Sequence, residues 1–78
     1  MERIMCVVKS RKTGKYLRVV TRVKNGKTVH DASWVDDLTY ANRTPGVKAA
    51  EIMFMCVAKD LKEDTCEIVE VVVSVRER

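Results

Sequence analysis

The segment from Asn42 to Lys48 combines the residue types that proteins use to hold a phosphate group or another anion. A helix is predicted to begin here, so its first backbone N–H groups are free to donate. Thr44 adds a hydroxyl group, Gly46 adds a flexible backbone, and Arg43 and Lys48 add positive charge. The alternative is that Thr44 simply caps the helix, which is the more common role of such a residue.

A second set of cations lies on a predicted hairpin. One face of the hairpin carries Tyr16, Arg18, Arg22, Lys24 and Lys27. A basic strand face of this kind can follow a nucleic-acid backbone or contribute to a pocket for a phosphorylated small molecule. It can also be a solvated face that discourages aggregation. Trp34 is either the aromatic wall of such a site or an anchor of the core, and core packing is favoured.

No residue pattern indicates catalysis or a metal site. His30 is the single histidine, and no nucleophile motif accompanies it. The acidic pairs Asp36-Asp37 and Glu63-Asp64 are expected in solvated turns and caps. The cysteines lack a Cys-x-x-Cys spacing, so they are predicted to be buried free thiols. The chain is predicted to be non-enzymatic and without a cofactor. The cysteines are Cys6, Cys56 and Cys66.

Charge and composition limit the class of protein. The chain has 78 residues, enough for one domain with a thin core, so residues 1–78 are predicted to form a single α+β domain. Residues 1–30 hold nine basic residues and one acidic residue, a net charge of +8, whereas residues 31–78 have a net charge of −4. This asymmetry indicates an anionic partner or head-to-tail contact between copies. Because the chain lacks a signal-like start and an apolar run of about 20 residues, we expect it to be cytoplasmic, with no membrane partner.

The elements that position these residues follow the order β-β-β-α-β. Apolar and β-branched residues predict strands over residues 4–9, 16–24 and 66–75, and Asn25-Gly26 predicts a type I′ hairpin turn. The dense valine of the last strand predicts an interior position in the sheet. The predicted fold class is therefore α+β, a small antiparallel sheet with one helix packed on one face.

A two-residue turn fixes the register of the hairpin. Four cross-strand pairs then share one face: Val23 with Thr28, Thr21 with His30, Val19 with Ala32, and Leu17 with Trp34. The opposite face carries the cations and is predicted to be basic.

Thr44-Pro45 predicts the start of a helix that runs to Leu61 or Lys62. The stripe assigned to packing on the sheet consists of Val47, Ala50, Phe54, Val57, Ala58 and Leu61. Further apolar residues lie off this stripe, and a helix that is apolar nearly all round is usually covered on both sides. The second face is therefore predicted to be an interface, most simply between copies in a homo-oligomer. The residues off the stripe are Ile52, Met53, Met55 and Cys56, and the predicted interface is Ile52, Met55 and Cys56.

Several stretches, spread over most of the chain, carry a resemblance. They are Thr13–Leu17, Ser33-Trp34 with Asp36–Leu38 and Ala41, Lys48–Glu51 and Glu67–Val71. In these stretches the chain resembles short bacteriophage accessory proteins that pair a small antiparallel sheet with one helix. The long basic hairpin from Arg18 to His30 departs from that pattern. The resemblance implies a protein that acts by binding, either by blocking a host protein or by forming an oligomer that sequesters a nucleotide signal.

These observations predict a small non-enzymatic binding protein, which in a phage context would act in counter-defence or host takeover in the host cytoplasm. The predicted partner is an anion of the nucleotide type or a host protein, and the predicted assembly is a homo-oligomer. The alternative is a nucleic-acid-binding protein that uses the basic N-terminal hairpin. The predicted anion-binding residues are Tyr16, Arg18, Arg22, Lys24, Trp34, Arg43, Thr44 and Lys48.

Overall fold

The computed structural model describes residues 2–63 and 65–74. The strands are β1 (Glu2–Ser10), β2 (Tyr16–Lys24), β3 (Lys27–Val35) and β4 (Cys66–Ser74), and between β3 and β4 lie a 3-10 helix (Leu38–Tyr40) and the α-helix α1 (Val47–Leu61). The strands form one antiparallel sheet in the order β3-β2-β1-β4, and α1 packs on one face of it. The predicted α+β class is confirmed. Within this part of the chain, no helix is long and apolar enough to cross a membrane.

The hairpin of β2 and β3 forms as predicted. Asn25 and Gly26 have φ angles of 51° and 76°, and a type I′ turn requires positive values at both positions. The strands pair in the predicted register, with Leu17 opposite Trp34. Both residues belong to the core that also contains Phe54 of α1. Because side chains alternate along a strand, the basic face of the hairpin points away from the helix.

β1 and β2 separate soon after the turn that joins them. In the described part of the chain they pair only at Lys9 and Tyr16. Beyond that point residues 42–44, which we call the wedge, lie between the two strands. Thr44 exchanges two backbone hydrogen bonds with Cys6 of β1, each 2.8 Å long. One side of the wedge is therefore paired to β1 as a strand would be.

Asn42 forms the other side of the wedge. Its backbone N–H donates to the carbonyl of Leu17 over 3.0 Å. Its side-chain Oδ1 accepts from the N–H of Val19 over 2.9 Å, and its Nδ2 donates to the carbonyl of Val19 over 3.2 Å. The side-chain amide thus takes the place that a peptide group of a neighbouring strand would have. The wedge joins the β1–β4 ribbon to the β2–β3 hairpin.

α1 begins at Val47, two residues later than predicted, and Thr44 does not cap it. Gly46 occupies the N-cap position, and no side chain caps the helix. Thr44 is buried, and its hydroxyl lies 3.3 Å from the carbonyl of Cys6 and 3.0 Å from that of Gly46. Because the backbone of Thr44 is paired to β1, the helix can start only after the chain has left that strand.

The sheet-facing stripe of α1 is largely confirmed, and the helix ends at Leu61 as predicted. Val47 was assigned to the stripe but is 46% exposed, since it stands at the first turn of the helix. Met53 was placed off the stripe but packs against the core, because α1 also contacts β3. The buried members of the stripe are Ala50, Phe54 and Val57, with Ala58 and Leu61 partly buried.

Glu63 is buried, so the prediction that its acidic pair is solvated is wrong for this residue. Glu63 is only 7% exposed. Its two carboxylate oxygens lie 2.9 and 3.1 Å from the hydroxyl of Ser10, which donates to the carboxylate. The same hydroxyl accepts from the N–H groups of Lys12 and Thr13, each over 3.2 Å. A buried donor on β1 therefore holds the carboxylate inside. Asp64 lies outside the described residues.

β4 is an edge strand, and the predicted interior position is wrong. It pairs with β1 over all nine of its residues, and the described part of the chain supplies no strand on its other side. The interior strands are β2 and β1, and Val7 and Val8 of β1 are fully buried. Composition indicates that a strand is apolar but not which neighbours it has. The predicted end at residue 75 lies outside the described residues.

Replacing Asn42 by alanine is expected to lower the free energy of unfolding by about 1–3 kcal/mol, because the backbone groups of Val19 lose their partner. The measurement is urea unfolding followed by circular dichroism. Arg43 is exposed in the same wedge and makes no side-chain hydrogen bond or ion pair among the described residues, so Arg43→Ala is the control and should change stability by less than about 0.5 kcal/mol. Equal effects of the two substitutions would show that the Asn42 amide does not join the ribbons.

Candidate functional site

The face of the hairpin that points away from α1 presents the predicted cations to solvent. Arg18, Arg22 and Lys24 of β2 and Lys27 of β3 lie on it and are exposed, and Tyr16 is half-buried at one end. We call these five residues the basic face. The structure therefore brings together the five residues that the sequence analysis places on this face, four of which belong to the predicted anion-binding set.

The positive charge of the basic face is only partly compensated. Arg22 forms an ion pair with Asp31, and both side chains are exposed. Arg18, Lys24 and Lys27 have no carboxylate within 4.0 Å in residues 2–63 and 65–74. Lys24 and Lys27 stand directly opposite each other beside the turn, an arrangement of like charges that destabilises a strand pair.

Tyr40 lies beside the basic face and was missed by the sequence analysis. The Arg18 guanidinium carbon is 5.7 Å from the centroid of its ring, within range of a cation–π interaction. The 3-10 helix that carries Tyr40 begins where Asp37 accepts the N–H of Thr39 over 2.8 Å, and this hydrogen bond lowers the pKa of the Asp37 carboxyl. The capping role predicted for the Asp36-Asp37 pair is thus confirmed at Asp37. Nothing in the local sequence shows that this turn folds back to Arg18.

The other predicted anion-binding residues lie elsewhere. Trp34 is on the opposite face of the hairpin and packs against the core. Arg43 and Lys48 are exposed, in the wedge and in the first turn of α1. Two polar groups of the predicted phosphate loop, the Thr44 hydroxyl and the Asn42 amide, are hydrogen-bonded to backbone. Trp34, the Thr44 hydroxyl and the Asn42 amide therefore do not contribute to the basic face.

A cleft of about 280 Å³ opens between the hairpin and α1, on the side opposite to the basic face. Inside it the Thr21 hydroxyl oxygen lies 2.9 Å from Nδ1 of His30, and His30 is on the face that the register predicts. The volume is just below the range of about 300–1,000 Å³ that is usual for ligand sites. The lining residues are Val19, Thr21, His30, Asn42, Met53, Cys56 and Val57. Over the described ranges, no group of three His, Cys, Asp or Glu side chains could hold a metal ion.

The three cysteines are free thiols in three different environments. Cys6 is buried and Cys66 is half-buried, but Cys56 is exposed, so the prediction of a buried thiol is wrong there. Cys56 borders the cleft, beyond the part of α1 that the sheet covers. Ile52 and Met55 are also exposed, and the interface predicted for these three residues stays a prediction.

Comparisons of the chain with models of protein families, with curated proteins and with solved structures find no match. The resemblance to bacteriophage accessory proteins therefore stays a prediction from the sequence. The function has to be argued from the basic face and its surroundings.

Two of the thiols are expected to react with Ellman's reagent in the folded protein, at different rates, and the third only in the unfolded protein. Cys56 should react first, and Cys6 only after unfolding. Cys66 should react slowly at neutral pH, because burial raises the pKa of its thiol against the opposing charge of Arg11 and so lowers the thiolate fraction. Its rate should therefore rise as the pH increases towards that raised pKa. A Cys56→Ser variant should lose the fast phase alone, and loss of the slow phase instead would contradict this assignment.

Proposed function

We propose that the protein binds nucleic acid through the basic face. The observation that carries the proposal is the uncompensated charge of Arg18, Lys24 and Lys27 on an open sheet surface. Contacts between Lys or Arg and phosphates supply most of the sequence-independent affinity of nucleic-acid-binding proteins. The basic face needs no pocket for such contacts, because phosphates project from a nucleic acid along its length.

The spacing of the cations suits an extended anion. Arg18 and Lys24 are six positions apart on β2, about 20 Å at 3.4 Å per residue. The cleft that could enclose a small molecule lies on the other side of the hairpin and is lined mostly by apolar residues. A nucleotide-sized ligand would reach part of the basic face, whereas a strand of nucleic acid can contact all of it.

The Lys24–Lys27 pair favours ligand binding over a role in solubility. A surface with charges of both signs interspersed keeps a protein soluble without placing like charges opposite each other. Two ammonium groups opposite each other destabilise the free hairpin. A phosphate bound near the turn would offset this repulsion, so the arrangement stabilises the complex relative to the free protein.

Tyr40 indicates which nucleic acid is preferred. Its ring is 59% exposed, and the Arg18 guanidinium lies beside it. Single-stranded nucleic acids bind where aromatic rings and Arg side chains offer stacking surfaces for unpaired bases next to cations that contact the backbone. We therefore assign single-stranded DNA or RNA as the preferred ligand class.

Replacing both turn lysines, Lys24→Ser with Lys27→Ser, is expected to weaken binding to a labelled single-stranded oligonucleotide and to reduce its dependence on salt. The slope of log K against log salt is negative, and each lost phosphate contact should reduce its magnitude by about 0.7 on a single strand. The same change should leave the melting temperature equal or higher, because it removes the repulsion between the two lysines. Fluorescence anisotropy over a salt series and thermal unfolding measure the two effects.

The control removes the same charge from α1 and its C-terminus, through Lys59→Ser with Lys62→Asn. Both lysines are exposed and lie outside the basic face. This variant should retain the salt slope of the natural sequence. Absence of binding at low salt, or an equal loss of affinity in both variants, would overturn the proposal.

Tyr40→Ala is expected to weaken single-strand binding about 5- to 100-fold, because loss of base stacking on an aromatic ring removes roughly 1–3 kcal/mol. Binding to duplex DNA, whose bases are already stacked, should change much less. Tyr40→Phe retains the ring and should bind like the natural sequence. An equal effect of Tyr40→Ala on both nucleic acids would exclude stacking at this position.

A further inference from the structure

β4 has a long strand edge with little of the usual protection. It has nine residues with no proline and no lysine, its charged residues are Glu67 and Glu70, and its ladder with β1 is continuous from Glu2 to Ser10 without a bulge. Edges of natural sheets are usually short, bulged or marked by lysine or proline, because they otherwise pair with other chains. β3, the other edge strand, carries Lys27, His30 and Asp31. The two edges of the sheet therefore differ in how they are protected.

The backbone groups on the open edge follow from the hydrogen bonds of β1. The N–H of Ser10 donates to Lys15, and Cys6 bonds to the wedge, so both residues direct their backbone groups away from β4. In an antiparallel pair, their partners Cys66 and Glu70 then direct theirs away from β1, towards the open edge. By alternation, the outward set is Cys66, Ile68, Glu70, Val72 and Ser74.

Arg11 closes one end of this edge. Its Nε donates to the carbonyl of Cys66 over 3.0 Å. Among the described residues of β4, the backbone groups that remain open run from Ile68 to Ser74, and the midpoint of that run is Val71. If β4 pairs in antiparallel orientation with the open part of β4 in a second copy, the two-fold axis therefore lies at Val71.

Apolar side chains lie on both sides of the edge. On the helix side Val72 is 64% exposed, and Met55 of α1 is 75% exposed. α1 itself contacts β4. The other side of the strand carries three half-buried valines, Val69, Val71 and Val73.

We infer that two copies of the chain pair through β4 in antiparallel orientation, with Val71 on the two-fold axis. Glu70 then exchanges backbone hydrogen bonds with Val72 of the second copy, and Ile68 with Ser74 of the second copy. The whole junction contains about eight such bonds. The valines of the two strands form one apolar surface, and the sheet continues through both copies.

The glutamates of β4 disfavour one alternative register. Pairing about Glu70 would set two glutamates opposite each other, which destabilises a strand pair. Pairing about Val71 sets each Glu70 opposite an apolar residue. An identical strand in a second copy supplies that apolar residue. An antiparallel pair of identical edges also closes as a dimer, whereas pairing of β4 with the β3 edge of the next copy would continue without limit.

The first test uses proline at an outward position. In Val72→Pro the lost N–H is not part of the β1 ladder, so the monomer should fold, but a dimer would lose hydrogen bonds on both sides of the axis. Thr28→Pro is the matched control, because Thr28 directs its N–H outward from β3 by the same alternation. Sedimentation velocity over a dilution series should give twice the chain mass for the natural sequence and Thr28→Pro, and the monomer mass for Val72→Pro. A natural sequence that is monomeric throughout, or a Val72→Pro dimer, overturns the inference.

The second test fixes the register and does not depend on folding of a proline variant. Val71→Cys, in a Cys56→Ser background, should form a disulfide between copies, since a non-hydrogen-bonded pair brings the two Cα atoms to about 4.5 Å. Val69→Cys is the control, because the two copies of residue 69 lie too far apart in this register. Non-reducing gel electrophoresis after mild oxidation compares them. Equal cross-linking of both variants overturns the assigned axis.

Discussion

The hydrogen bonds between the Asn42 side chain and the backbone of Val19 are the constraint on which the rest of the structure depends. β1 and β2 pair at one position only, so the hairpin would have no fixed orientation without the wedge. Because Asn42 bonds to β2 while Thr44 bonds to β1, a short segment of chain replaces a whole strand ladder. The same segment sets where α1 begins and leaves room for the cleft between hairpin and helix.

The separation of the two ribbons also separates their chemistry. The net charge of the first thirty residues is not spread evenly, since β1 is paired to a strand that contains Glu67 and Glu70, whereas the hairpin holds Asp31 as its acidic residue. Glu67 thus stands opposite Lys9 of β1, whereas the hairpin retains a net positive charge. The asymmetry of net charge along the sequence thus becomes a property of the basic face of the hairpin. An anionic ligand can recognise such a face.

Local pattern predicts the parts of this fold that depend on neighbours in sequence. The turn at Asn25-Gly26 fixes the hairpin register, and the register fixes the opposite faces of Arg18 and Trp34. Two of the misassigned residues, Thr44 and Glu63, depend on distant partners. Thr44 is taken from its expected capping role by β1, and Glu63 is drawn inside by Ser10, thirty-eight and fifty-three positions away in sequence. Periodicity contains no information about such contacts, so the basic face could be predicted and its neighbour Tyr40 could not.

Pairing through β4 would connect the ribbon chemistry to binding. A two-fold axis perpendicular to the sheet keeps both helices on one side of the sheet. Both basic faces then lie on the other side. One strand of nucleic acid could then contact both, and a second linked contact raises overall affinity by about 10²–10⁴ when the geometry permits it. The two properties nevertheless reside in different ribbons, because the cations lie on β2 and β3 and the open edge belongs to β4. A monomer that retained the basic face would therefore still bind, with the weaker affinity of a single set of contacts.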